Sequence, residues 1–252
     1  MRLQTTFTPA DFEALAQTDL SGTTCVVFDI LRATSSMVTA LANGAEQILP
    51  VATIEEALAA KAEHPEALLC GERDGLRITA AQTGGTEFDL GNSPREYTAN
   101  LVAGKTLIST TTNGTRALRA CSGAREIWVG SFLNLQATID QLRAVKPERL
   151  VLVCSGTFEE AAMEDTLAAG AIADTLWDLF DDIEDSAQLA RALHQSHGAK
   201  LAQSIRLAKN TRHLLELPDL AGDVEFCIQR DIYSFTAMLK PDGAIEVCSP
   251  DS

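Results

Sequence analysis

The chain has 252 residues, of which 46% are hydrophobic, 22% charged and only 5% aromatic. This composition excludes general disorder and leaves a core built from Ala, Leu, Val and Ile. Lys and Arg total 20 against 35 Asp and Glu, a net charge of −15. Such a surface repels a polyphosphate backbone and argues against nucleic-acid binding, and any anionic ligand needs local arginines or a metal ion to reverse the field.

In chain order, the first 20 residues carry Asp11, Glu13 and Asp19 and lack a signal-peptide core. No apolar run reaches 18 residues, so no membrane span is expected and a cytoplasmic setting is. Short apolar runs at 24–28, 47–51, 67–70, 106–109, 126–129 and 150–154 predict strands. Stretches 35–43, 54–63, 115–120, 135–145 and 158–180 predict helices, with Asn43-Gly44 and Ser122-Gly123 as stops. Several runs are apolar on both faces, as a covered parallel sheet requires. The strand–loop–helix rhythm predicts a doubly wound α/β fold, with a largely parallel sheet and helices on both faces in three layers.

Residues 71–97, rich in Gly, break the rhythm and read as a long functional loop. From 181 to 218 the pattern is helical and polar, and 224–228 and 244–248 read as weak strands. The chain reads as a single domain, with a smaller C-terminal subdomain from about 181 left open. Oligomeric state is not legible, and a homo-oligomer is left open. The six cysteines form no CxxC pair. Cys25, Cys70 and Cys154 lie in apolar runs and read as core side chains.

In a parallel sheet the carboxyl ends of the strands form the ligand crevice, and here they are polar. Asp29 follows the first predicted strand and can hold a metal. Arg32 offers a planar fork for an anion, and Ser35 lies in a hydroxyl-rich helix start. Pairing of Asp29 with Arg32 and simple capping by Ser35 is an equal reading of that segment. Thr111, Thr112, Asn113, Gly114 and Thr115 join a strand to a helix and can cradle an anion, although the P-loop lysine is absent. Glu72 and Asp89 are hard oxygen ligands of the kind Mg²⁺ takes. Arg73 is a second anion clamp. Glu164 and Asp165 sit in an apolar helix, where a wet edge is the better reading. A cysteine phosphatase needs an arginine six residues after its cysteine, and after Cys154 that position holds Glu160. His194 and His197 lack an HExxH pattern and read as a solvated face.

Together these segments resemble the 2-phosphosulfolactate phosphatase family, the ComB type, of coenzyme M biosynthesis. The matching residues are Asp29-Ile30-Leu31-Arg32-Ala33-Thr34-Ser35, Ala40-Leu41-Ala42-Asn43-Gly44-Ala45 and Gly71-Glu72-Arg73. They continue in Phe88-Asp89-Leu90-Gly91-Asn92-Ser93-Pro94, Thr111-Thr112-Asn113-Gly114-Thr115, Ser155-Gly156-Thr157 and Glu164-Asp165-Thr166-Leu167-Ala168-Ala169-Gly170. The resemblance implies an α/β fold and Mg²⁺-dependent hydrolysis of a phosphate ester on a three-carbon sulfonated acid. Segment 79–87 is longer than the family's connection, and beyond 181 the likeness fades to fragments such as Asp223-Val224-Glu225-Phe226-Cys227.

The expected site follows. Asp29 and Arg32 are catalytic. Arg32, Ser35, Arg73, Asn92, Ser93 and the 111–115 loop bind a small anionic phosphate ester. Mg²⁺ is held among Asp29, Glu72, Asp89, Glu164 and Asp165. The nucleophile is a metal-bound water or a carboxylate such as Asp29, since Ile30 and Leu31 leave no DxD motif. The rival reading is a non-catalytic protein that binds or senses a small anion.

Overall fold

The computed structural model describes residues 1–248. Its strands are β1 (Arg2–Thr6), β2 (Thr23–Phe28), β3 (Gln47–Pro50), β4 (Leu68–Arg73), β5 (Leu76–Arg77) and β6 (Thr106–Thr110). They continue as β7 (Glu126–Gly130), β8 (Arg149–Cys154), β9 (Asp182–Ile183), β10 (Thr236–Leu239) and β11 (Ile245–Cys248). All join one sheet in the order β5-β4-β6-β3-β11-β10-β7-β2-β8-β1-β9.

The sheet is mixed but mostly parallel. One parallel block is β4-β6-β3 and the other β7-β2-β8-β1-β9. The β10–β11 hairpin joins them through three successive antiparallel pairings. The blocks therefore run in opposite senses across the sheet. The Ala33–Ala42 helix packs against both blocks. Nine of that helix's ten residues are buried. Met37, Val38 and Leu41 share one core with Cys70 and Leu107 of the first block and with Val27 and Val129 of the second.

Alternation along β2 fixes the layers. Cys25 and Val27 face this central core, while Val26 and Phe28 face a second one. The second core is closed by the Leu135–Val145 and Met163–Thr175 helices, through Leu135, Ile139, Leu142, Leu167 and Ile172. Across β4 and β6, Leu69 and Ile108 pack under Ala57 of the Ile54–Glu63 helix. Helices thus cover both faces, as the apolar runs imply.

Four expectations need correction. Residues 224–228 are not a strand: the Ala221–Cys227 helix buries Asp223, Val224 and Cys227, at helical spacing. The 158–180 helix begins only at Met163 and ends at Thr175, because Thr157 and Glu160 exchange backbone hydrogen bonds in a tight turn and Phe158 has φ 55°. Residues 71–97 are not an open loop. Asp74 and Gly75, with φ 54° and 80°, make a two-residue hairpin between β4 and β5, and Ile78, Phe88, Leu90 and Tyr97 are buried. Glu164 and Asp165 lie not on a wet helix edge but in the interior, 1% and 2% exposed.

Candidate active site

Asp29 follows β2, Glu72 lies at the end of β4, Thr112 and Asn113 follow β6, and Gly156 and Thr157 follow β8. Residues from these carboxyl ends line one cleft, with about 550 Å³ of free space including its mouth. Its far wall is the Lys209–Leu215 helix, which contributes Asn210, His213 and Leu214.

At the floor, Asp29 Oδ1 accepts the Ala33 N–H at 3.0 Å, and the Asp29 carbonyl accepts that of Thr34. The first amides of the Ala33–Ala42 helix are therefore spent on Asp29. Its other oxygen lies against Gly114. A Cβ on Gly114 would come within 2.8 Å of Asp29 Oδ2 and 2.6 Å of Ala33 Cβ, so only glycine fits this close approach. Burial pushes the Asp29 carboxyl up to about 6, opposed by the Ala33 N–H, with repulsion from Glu72 adding and Arg32 subtracting.

Arg32 lines the cleft but is almost fully buried. Nη1 donates to Asp223 Oδ2 at 2.9 Å and Nη2 to the Gly75 carbonyl at 2.5 Å, leaving the other N–H groups of the guanidinium for a ligand. Glu72 ties the same hairpin to β6: its oxygens accept the Gly75 and Thr112 N–H groups, each at 2.8 Å.

Behind the floor lie two more carboxylates. Asp165 accepts the Ile30 and Gly156 N–H groups at 2.8 and 3.1 Å, fixing the tips of β2 and β8. Burial and repulsion from Asp29 and Glu164 raise its carboxyl well above the usual range. Glu164 Oε1 accepts from Asn210 at 3.3 Å, and its Oε2 is buried with no partner. Burial pushes the Glu164 carboxyl up to about 7, helped by repulsion from Asp29 and opposed by the Asn210 amide.

Of the expected site residues, Asp29, Arg32, Glu72, Asn92, Thr112 and Asn113 line the cleft, and Gly114 abuts Asp29. Others are placed elsewhere. Arg73 alternates with Glu72 along β4 and donates to Thr110 Oγ1 and the Glu72 carbonyl rather than lining the cleft. Asp89 accepts the Leu69 N–H near the opposite end of β4 and is exposed to solvent. Ser35 is buried against the Ile30 carbonyl and Ser131. Ser93 donates to Asp223. Thr111 and Thr115 bond to each other within the helix start.

The structure adds residues that the sequence did not place in the site. Asp223, fully buried, receives Arg32, Ser93 and Arg95. Asn210 bridges Glu164 and the Leu31 carbonyl. His213 and Phe158 stand at the rim. Segment 79–87 contributes nothing to the cleft lining.

The residues fit a Mg²⁺ ion. Among the described residues no three His, Cys, Asp or Glu side chains form a ready cage. Mg²⁺ ordinarily takes one or two carboxylates, with water and substrate phosphate filling the other positions. Asp29 reaches the cleft, Glu164 has a buried orphan oxygen, and burial raises both carboxyls, with repulsion from Glu72 adding at Asp29 and repulsion from Asp29 adding at Glu164. A cation between such groups relieves that repulsion. The Cys154 thiol offers no competing chemistry, since burial pushes it well above its ordinary value.

The fold and cleft define an α/β protein with a carboxylate-floored cleft at its strand tips, lined also by Arg32. The family model for 2-phosphosulpholactate phosphatase matches residues 10–242, and the chain belongs to that family. Among its relatives, the probable 2-phosphosulfolactate phosphatase of Pseudothermotoga lettingae is 41% identical over 223 residues, covering 88% of this chain and 92% of the relative. Those of Clostridium acetobutylicum and Thermotoga maritima are 39% and 40% identical over 212 and 210 residues, each covering 83% of this chain and 86% of the relative.

Proposed function

We propose that this protein hydrolyses the phosphate ester of 2-phosphosulfolactate, or of a closely similar phosphorylated acid, to the free acid and phosphate, with Mg²⁺ bound at Asp29 and Glu164. The observation that carries this reading is that Asp29 and Arg32 line one cleft while the Arg32 fork pairs with Asp223 rather than with Asp29. When bound, the ion supplies Lewis-acid polarisation of phosphoryl oxygens.

The chain's own residues supply the rest. The free N–H groups of Arg32 hold phosphoryl oxygens, and Asp223 and the Gly75 carbonyl fix the plane of the fork. Asp29 reaches the cleft floor, where its carboxylate orients the attacking water and accepts its proton. Asn92, Thr112 and Asn113 line the wall and orient the ester. The cluster of repelling carboxylates favours an enzyme over a passive anion binder, because without a cation it weakens anion binding.

The decisive experiment is phosphate release from 2-phosphosulfolactate and from simple phosphate monoesters, with and without Mg²⁺. Absence of turnover on all of them, with the acid still bound, would return the protein to the anion-binding class. A cytoplasmic location is part of this reading. No helix among the described residues is long and apolar enough to cross a membrane.

A further inference from the structure

The cleft faces a charge problem that Arg32 alone does not solve. The substrate carries a phosphate, a carboxylate and a sulfonate, while Asp29, Glu72 and Asp74 line the same walls. Among the described lining residues Arg32 is the permanent cation, and it sits at the floor beside Asp29. His213 is the other lining side chain that can carry a positive charge.

Its placement is built rather than incidental. Asn210, His213 and Leu214 occupy the i, i+3 and i+4 positions of the Lys209–Leu215 helix, one face of it, and that face closes the cleft. The helix is fastened at both sides. Asn210 donates to the Leu31 carbonyl at 2.7 Å, and Lys209 pairs with Glu160 at 2.7 Å. The helix's Thr211 and Leu214 side chains are buried. Arg212, by contrast, donates to the Leu207 carbonyl and lies outside the lining.

We propose that His213 is the specificity-determining residue of the cleft, contacting the acid end of the substrate while Arg32 holds the phosphoryl end. This rests on the phosphatase reading above and adds to it the group that selects an acidic leaving alcohol over a neutral one. A sulfonate or carboxylate meets an imidazolium as a charge-assisted hydrogen bond, which a neutral alcohol cannot match.

The test is isothermal titration of the folded full chain with two probes, sulfolactate and inorganic phosphate, in wild type, His213→Ala and His213→Arg. The ratio of the sulfolactate Kd to the phosphate Kd is expected to rise about tenfold in the alanine variant, the scale of one charge-assisted contact. Arginine, which restores a cation, brings the ratio back toward wild type. An unchanged ratio in the alanine variant, or an arginine variant that behaves like alanine, overturns the proposal. Failure of the phosphatase reading shows separately, as wild-type protein that binds sulfolactate through His213 but releases no phosphate from its ester.

Discussion

Asp223 holds Arg32 through a 2.9 Å ion pair in which neither side chain is more than 3% exposed. The two residues lie 191 positions apart, so the C-terminal part of the chain sets the orientation of the guanidinium in the cleft. Asp223 also takes Ser93 at 2.6 Å and Arg95 at 2.8 Å. Arg95 is partly exposed, whereas Arg32 is not. Asp223→Ala therefore leaves a buried charge unpaired and is expected to cost about 3–5 kcal/mol, with a rise in KM. Arg95→Ala should cost no more than about 1 kcal/mol. Urea unfolding of both variants checks this, and equal losses would show that the buried pair contributes no more than the exposed one.

Gly114 provides a sharper steric test. Alanine favours a helix over glycine by about 0.8–1.0 kcal/mol, so a simple helix start would gain stability from Gly114→Ala. Here the new Cβ meets Ala33 Cβ at 2.6 Å and Asp29 Oδ2 at 2.8 Å. Overpacking of this kind costs about 1–3 kcal/mol, and the backbone shift displaces Asp29. The variant should melt lower and lose at least about tenfold in kcat/KM, the scale of a misplaced reacting group. A higher melting temperature with full activity would refute the close approach.

The site was only partly legible in the sequence, for physical reasons. Strand tips are readable because a polar residue directly after an apolar run marks where the chain leaves the core, and Asp29, Glu72, Thr112 and Asn113 all reach the cleft. Which way a side chain points within a strand end is not so readable: Arg73 and Glu72 are neighbours on opposite faces. Asp89 looked equivalent to Glu72, yet it bonds at Leu69, near the other end of β4. The strand β10, Thr-Ala-Met-Leu, carries no alternation strong enough to predict, although it and β11 join the two blocks. Asp223 was not placed in the site because Val224 to Ile228 alternates like a strand, and its partners lie far away in sequence. Glu164 and Asp165 were misplaced because an acidic pair in a helix is normally solvated. Only the surrounding run of buried Ala and Leu hinted otherwise.

Burial makes the site pH-sensitive in a definite direction. Asp29 and Glu164 sit near 6 and 7 in the fold, above the usual 3.8 and 4.5. Between those values the folded state binds more protons than the unfolded one, and Asp165 is raised in the same direction, so stability falls as pH rises from about 4 through about 7. The sum is on the order of a few kcal/mol. In chelator, melting curves across this range should show that decline. Glu164→Gln should flatten it and melt above wild type at pH 8, while losing activity. A wild-type curve that rises across the interval would contradict the assignment.

The last prediction separates enzyme from anion binder and concerns Asp29 together with the metal. Asp29 is buried, accepts the Ala33 N–H on one oxygen and turns the other toward Gly114. Asp29→Asn preserves its shape but removes both the charge that holds Mg²⁺ and the lone pair that takes a proton. If Asp29 does either, kcat should fall by several orders of magnitude, because metal and proton-transfer contributions amount to several kcal/mol of barrier. Removing Mg²⁺ from wild-type protein with EDTA should produce a comparable fall, reversed by adding the ion back. Stability should not fall in parallel, since withdrawing one of several mutually repelling carboxylates relieves the floor. A purely structural Asp29 gives the opposite pattern, a lower melting temperature with modest change in rate. A passive anion binder gives a third: no turnover to lose, and phosphate bound more tightly once the neighbouring charge is gone. Measuring kcat, phosphate affinity and melting temperature on this one variant, with and without chelator, resolves the three. Near-wild-type turnover in Asp29→Asn would remove Asp29 from the chemistry.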